Sequence, residues 1–201
     1  MGKTLRSWGA AFPLALLLAV HPSAAEQVVT RAVRLADSPR ASVSVVSPGG
    51  AVSVAAAPTD TVSVRAVLPQ SGFDVAAGVS NDGATAWVIV TGKASGKSAR
   101  PRVEVTVPEG TSISVLGTAD AVRVDGSERT RSVDVSTRDG TVTVAGAALA
   151  VTASSFSGAV EVEGTFGSVN AVTATGDIAV RGRADSLETS TLSGRTRIEV
   201  R

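Results

Sequence analysis

The chain has 201 residues, with 19 basic and 18 acidic side chains, no cysteine, no tyrosine and a single histidine. Without cysteine there is no disulfide or thiolate metal site, and with His21 confined to the N-terminal leader the remainder lacks the imidazole of Ser-His-Asp, Cys-His and zinc chemistry. Charges of both signs are scattered, which excludes a basic block for nucleic acid and a polybasic membrane patch.

Residues 1–25 read as a secretory signal. Lys3 and Arg6 precede an apolar run from Trp8 to Val20, and His21-Pro-Ser-Ala-Ala25 supplies a small-residue exit with cleavage expected after Ala25. The run of 13 residues is short for a membrane span and contains Pro13, and no cysteine follows it for lipid attachment. An uncleaved anchor is the alternative. Past the leader, 17 basic residues face 18 acidic ones. The expected location is therefore outside the cytoplasm: periplasm, cell surface or medium, with no integral span after cleavage.

Residues 26–110 form a divergent β region. Glu26–Arg40 is either a first strand or an entry arm. From Ser42, SVSVVSPGG places Val43 and Val45 seven and five residues before Gly50. A strand at Thr61–Leu68 stops at Pro69; a turn at Asn81-Asp-Gly83 precedes a strand around Trp87–Val90. The loop GKASGKS fails the phosphate-binding pattern, because only three residues separate Gly92 from Gly96-Lys97-Ser98 and Arg100-Pro101 opposes a helix. Val103–Val107 is a strand closed by a turn at Pro108-Glu-Gly110.

From residue 111 to 201 a regular phrase recurs: SVDVSTRDG, AVTASSFSG, SVNAVTATG and SLETSTLSG, ending at Gly140, Gly158, Gly176 and Gly194. Each is followed by an apolar alternation. Strands of period two in repeats of roughly 18–20 residues predict an all-β parallel solenoid of stacked coils, continuous with the less regular N-terminal region. An antiparallel sandwich is the competing fold. Ile113, Val133, Val151, Val169 and Leu187 form one inward column. Val122, Val142, Val160, Ile178 and Ile198 form a second, and Val124, Val144, Val162, Val180 and Val200 a third, with two extra residues before Ile198.

Sharp turns between faces assign φ > 0 to the glycine set and to its equivalents Gly50 and Asp120, and to a second set that ends the Val-x-Val strands, Gly126, Gly146, Gly164 and Gly182. Thr137, Ser155, Thr173 and Thr191 make a hydroxyl column expected to bond the turn backbone or one another. Outward, Asp177 is expected to stack on Arg197 and Glu163 on Arg181. Phe156 and Leu192 share a column with Arg138 and Ala174, read as a buried corner rather than an exposed patch. The final strand, with Ile198, Val200 and Arg201, presents an edge able to pair with another chain or copy.

The strand VEVTVPEGTSISV followed by coils of the form V-x-x-x-T-x-x-G-x-V-x-V-x-G resembles the bacterial putative-adhesin β-strand-repeat family, from about Ala41 to Arg201. The resemblance implies a β-solenoid and a cell-envelope location, and supplies no catalytic residues. The resulting expectation is an exported, non-enzymatic scaffold or binding module for an envelope protein or surface polymer, with no cofactor and no metal. An envelope-stress sensor is the alternative. A polysaccharide lyase or hydrolase would have to use Glu161, Asp177 and Arg197. The calcium nonapeptide is absent, and Ala159, Glu161, Asp177 and Ala179 interrupt any Thr-x-Thr ice-binding face begun by Thr141 and Thr143.

Overall fold

In the computed structural model, described for residues 26–36, 38, 40–69, 72–92 and 100–201, every regular element is a strand. The leader and most of the Gly92–Ser98 loop lie outside the described residues. In chain order the strands are β1 (Gln27–Arg34), β2 (Ser42–Ser47), β3 (Ala51–Ala57), β4 (Thr61–Leu68), β5 (Phe73–Val79), β6 (Thr85–Gly92), β7 (Arg102–Pro108), β8 (Ser112–Gly117) and β9 (Ala121–Asp125). They continue with β10 (Ser132–Thr137), β11 (Thr141–Ser155), β12 (Val160–Thr175), β13 (Ile178–Ser193) and β14 (Thr196–Val200). Valine at alternate positions drives these segments into strands, because its branched side chain suits a pleated surface with one face buried. In β2 and β8, buried valine or isoleucine alternates with half-buried serine.

The strands form one mixed sheet with two ladders. One runs β5-β6-β2-β8-β10 and continues through the C-terminal halves of β11, β12 and β13. The other runs β1-β4-β7-β3-β9 and continues through their N-terminal halves to β14. Antiparallel pairing is confined to β1–β4, β4–β7 and β5–β6. Each pairing made by β8 or a later strand is parallel. No hairpin therefore joins consecutive strands after Ile113, as a sandwich would need. Residues 26–36, left open between strand and arm, contain β1, which lies antiparallel to β4.

Coil order in space departs from coil order in sequence. The β2–β3 pair lies between β6–β7 on one side and β8–β9 on the other, so strands β4 to β7 lie outside it. Inward residues of both ladders make one core of valine, isoleucine, leucine, alanine and Phe166. Full burial of each aliphatic side chain contributes roughly 1.5–3 kcal/mol.

The inward columns from Ile113 to Leu187 and from Val122 to Ile178 are in register. The last coil is not as expected. Thr196 lies opposite Ile178, Ile198 opposite Val180, and Val200 opposite Gly182, so no two-residue insertion precedes Ile198. Backbone pairing keeps the 18-residue offset of the coil before it and puts a threonine where the apolar pattern pointed to isoleucine.

The glycine column has a different cause from the one its composition suggested. Gly140, Gly158, Gly176 and Gly194 do not have positive φ, and neither does Asp120; Gly50, at 81°, is the left-handed member. What demands glycine is close approach. A Cβ on Gly158 would lie 2.0 Å from the Gly140 carbonyl oxygen, and one on Gly176 2.3 Å from that of Gly158. Asp120 keeps its place in the column without left-handed backbone: its N–H donates to the Gly50 carbonyl at 2.8 Å, and its carboxylate meets the Arg100 guanidinium. In the second set, Gly146 and Gly182 have φ of 92° and 115°, whereas Gly126 is not left-handed. Gly126 follows the end of β9 as expected, whereas Gly146, Gly164 and Gly182 do not end their strands, since β11, β12 and β13 run through them.

The hydroxyl column locks onto the same carbonyls. Ser155 Oγ donates to Gly140 at 2.9 Å, Thr173 Oγ1 to Gly158 at 3.0 Å, and Thr191 Oγ1 to Gly176 at 3.1 Å; Thr137 Oγ1 donates to Ala119 at 3.0 Å. Each carbonyl thus accepts a hydroxyl from the next coil, while a glycine hydrogen leaves room above it.

Two consequences can be measured by urea unfolding. Gly176→Ala forces a methyl into backbone and should cost about 1–3 kcal/mol, whereas Gly49→Ala, with nothing within 4 Å of the added carbon, should change stability by less than about 0.5 kcal/mol. Thr173→Val leaves the Gly158 carbonyl without its hydroxyl donor and should cost about 1–3 kcal/mol.

Candidate functional site

The acidic and basic residues weighed for catalysis do not converge. Glu161 lies opposite Ala179, and Arg197 pairs with Ala179 from the other side. Asp177 does not stack on Arg197: its Oδ1 accepts the Arg195 backbone N–H at 2.8 Å, following the corrected register. Arg197 turns along its own strand, Nε donating to Glu199 at 2.6 Å. Glu163 lies opposite Arg181 as expected, but Arg181 reaches Glu199 at 3.4 Å. Among the described residues, no three His, Cys, Asp or Glu side chains gather as a metal site would require.

A cleft of about 790 Å³ opens beside the turns that follow β1, β3, β7 and β9, lined by Arg34, Asp60, Glu109, Arg129 and Arg131 among others. Its charges are engaged by the protein. Arg34 pairs with Asp60 at 2.8 Å, and Arg131 donates from Nε to the Gly110 carbonyl at 2.7 Å and from Nη2 to the Ala41 carbonyl at 3.1 Å. The Asp60 carboxyl is held below its ordinary value first by the Thr61 hydroxyl and then by Arg34.

The final coil is the more open surface. Ile198 closes an inward column yet is 51% exposed, and Leu192 on β13 is 88% exposed. Val200 behaves differently: it is partly buried against the core, and the next residue, Arg201, is tied by its N–H to the Gly182 carbonyl at 3.0 Å. Phe156 is 64% exposed, so the Phe156/Leu192 column is not the buried corner anticipated. Its residues follow the inward hydroxyls Ser155 and Thr191 by one position, and strand alternation turns them outward. At the other end, antiparallel β1, β4 and β5 flank the stack, with Val29, Leu68 and Val75 buried.

The outward surfaces of the two ladders differ in chemistry. On the β14 ladder, one row reads Arg65, Glu104, Ser53, Arg123, Thr143, Glu161, Ala179, Arg197. On the other ladder, the row through Thr85, Ser42, Ser112, Ser132, Ala150, Ser168 and Ser186 carries no charge. Periodicity made the alternation visible, but the pairing partners that align this row were not visible in it.

No family model matches the chain, and no curated protein matches it. Among solved structures, it is similar to one described as a putative cell adhesion protein from Clostridium sporogenes, at TM-score 0.45 and 7% identity, covering 88% of this chain and 100% of that one. It is also similar to a putative adhesin from Bacteroides fragilis at TM-score 0.40 and 15% identity (89% and 99% covered), and to a putative adhesin from Parabacteroides distasonis at TM-score 0.38 and 10% identity (89% and 98% covered). Each of the three is described as a putative adhesin or cell adhesion protein.

Proposed function

We propose that this chain is an exported, non-enzymatic envelope protein, wound as a parallel β-solenoid and serving as an adhesin-like scaffold that binds through its terminal coil. The observation carrying this reading is strand β14, which among the described residues pairs only with β13, and its Ile198, half exposed; Leu192 is exposed on β13 itself. The edge of β14 away from β13 offers a row of backbone donors and acceptors, and the exposed Ile198 side chain adds area that water does not favour. The partner is an envelope protein or a second copy of the chain added edge to edge. Export rests on the basic, apolar and small-residue order of residues 1–25. No helix among the described residues is long and apolar enough to cross a membrane.

Crosslinking in the native envelope, with sedimentation of the purified protein, tests the edge. Ile198→Asp should reduce self-association or capture, because a charge must then be desolvated against an apolar partner. Ile198 is the better probe than Val200, whose replacement would also disturb the core. Leu192→Asp should act in the same direction while changing folding stability by less than about 0.5 kcal/mol. A protein that stays monomeric at every concentration and captures nothing would defeat this reading.

A further inference from the structure

We propose that the outward surface of the ladder from β5 to β13 binds an uncharged polysaccharide chain laid across the strands, along the stacking direction. This inference deepens the reading of the protein as an envelope binding module and rests on it. Three rows make the surface. The first presents a hydroxyl on six of seven successive rungs, Thr85, Ser42, Ser112, Ser132, Ser168 and Ser186, with Ala150 the exception. Successive rungs lie about 4.8 Å apart, so the row is a ladder of hydroxyls on the scale of one sugar residue per rung. Ser42 and Thr85 are close enough to share a hydrogen bond at 3.1 Å. The inward hydroxyls are consumed by backbone carbonyls, but this row faces away from the core.

The third row supplies apolar area. Ile89, Val46, Leu116 and Val172 lie on it, with Leu116 55% exposed. Between the two runs the middle row, which begins with Trp87. That ring lies against Gly78, where an added Cβ would come within 2.3 Å of it, so glycine makes room for the indole beside the sheet. An indole of this kind suits the apolar C–H face of a sugar, while serines suit its hydroxyl edges. Scarce aromatics argue against a cleft of stacked platforms; a flat hydroxyl surface needs only this one.

Charge selects the occupant. The three rows contain Asp134 and Glu188 and no cation, and Arg138 on the outward row beyond them already faces Asp139 at 3.8 Å, so an anionic polymer would meet more repulsion than attraction. An uncharged polymer loses nothing by this. Each hydroxyl–sugar bond replaces one with water and is weak alone, but six hydroxyl rungs acting on one chain add by proximity.

The test is depletion of the full chain by insoluble cellulose, chitin or β-1,3-glucan, against soluble polygalacturonate, at low and high salt. Retention on at least one neutral glycan, insensitive to salt, is expected. The double variant Ser112→Glu/Ser132→Glu should weaken it about tenfold or more, and Leu116→Ser should weaken it less. Arg123→Ala/Glu161→Ala on the opposite face should leave it within roughly twofold. Equal thermal midpoints show that each variant is folded, and Leu116→Ser decides the matter if the double variant is not. No retention on any neutral glycan overturns the proposal. So does salt-sensitive binding to polygalacturonate, or retention untouched by the face variants. Sedimentation showing that these variants abolish a dimer instead would assign the face to a second copy. If glycan binding fails while Ile198→Asp still reduces capture, this inference fails alone; the converse defeats the edge reading alone.

Discussion

The stack depends on one contact repeated at each bend: a glycine hydrogen seated over a backbone carbonyl that also accepts a hydroxyl from the next coil. At Gly158 the Gly140 oxygen lies 2.0 Å from where a methyl carbon would begin, and the same oxygen takes the Ser155 proton. Coils at β-sheet spacing can turn together only if nothing intrudes at the corner. A buried carbonyl left unpaired there would oppose folding. Glycine and Ser/Thr answer these two demands together, which is why they recur three residues apart. The valine columns supply the cohesion, but the corners set the distance at which they pack.

Around that scaffold the described residues differ chiefly at the surface. Their core is apolar and its inward hydroxyls donate to backbone carbonyls. The paired arginines of the turn-side cleft are likewise engaged by carboxylates and carbonyls. What differs from place to place is the outside: a mosaic of both charges on the β14 ladder, a hydroxyl and apolar face with two carboxylates on the other, and Ile198 half exposed on the last strand.

Strand alternation was legible because its period of two is a direct imprint of which face each residue takes. The columns from Ile113 to Leu187 followed from the constant repeat. Three features were hidden for physical reasons. Glycine signals either φ > 0 or close approach, and composition alone does not separate them; hence Asp120 and Gly140 were assigned the wrong backbone. The pair Ile198 and Val200 imitates Ile178 and Val180 in hydropathy, but the ladder follows hydrogen-bond register and places Thr196 in the column. Residues 61–108 alternate like any strand, and alternation carries no record of which neighbour a strand will choose. The hydroxyl face belongs to this last class: its serines were all in view, and only pairing lined them up.

The interleaved order of coils bears on how the molecule comes into being. Ser42 pairs with Thr85 and with Ser112, so the first coil is completed on both sides by chain that arrives much later. Each such contact requires a long loop to close before it yields any stabilisation. From β10 onward, by contrast, each coil lays down on the one before it, and growth is local. A polypeptide delivered N-terminus first therefore leaves its leading half without a finished ladder until residues near 125 have emerged, after which the remainder winds on turn by turn. The leading half is thus the part of the chain that stays longest without the neighbours that complete it.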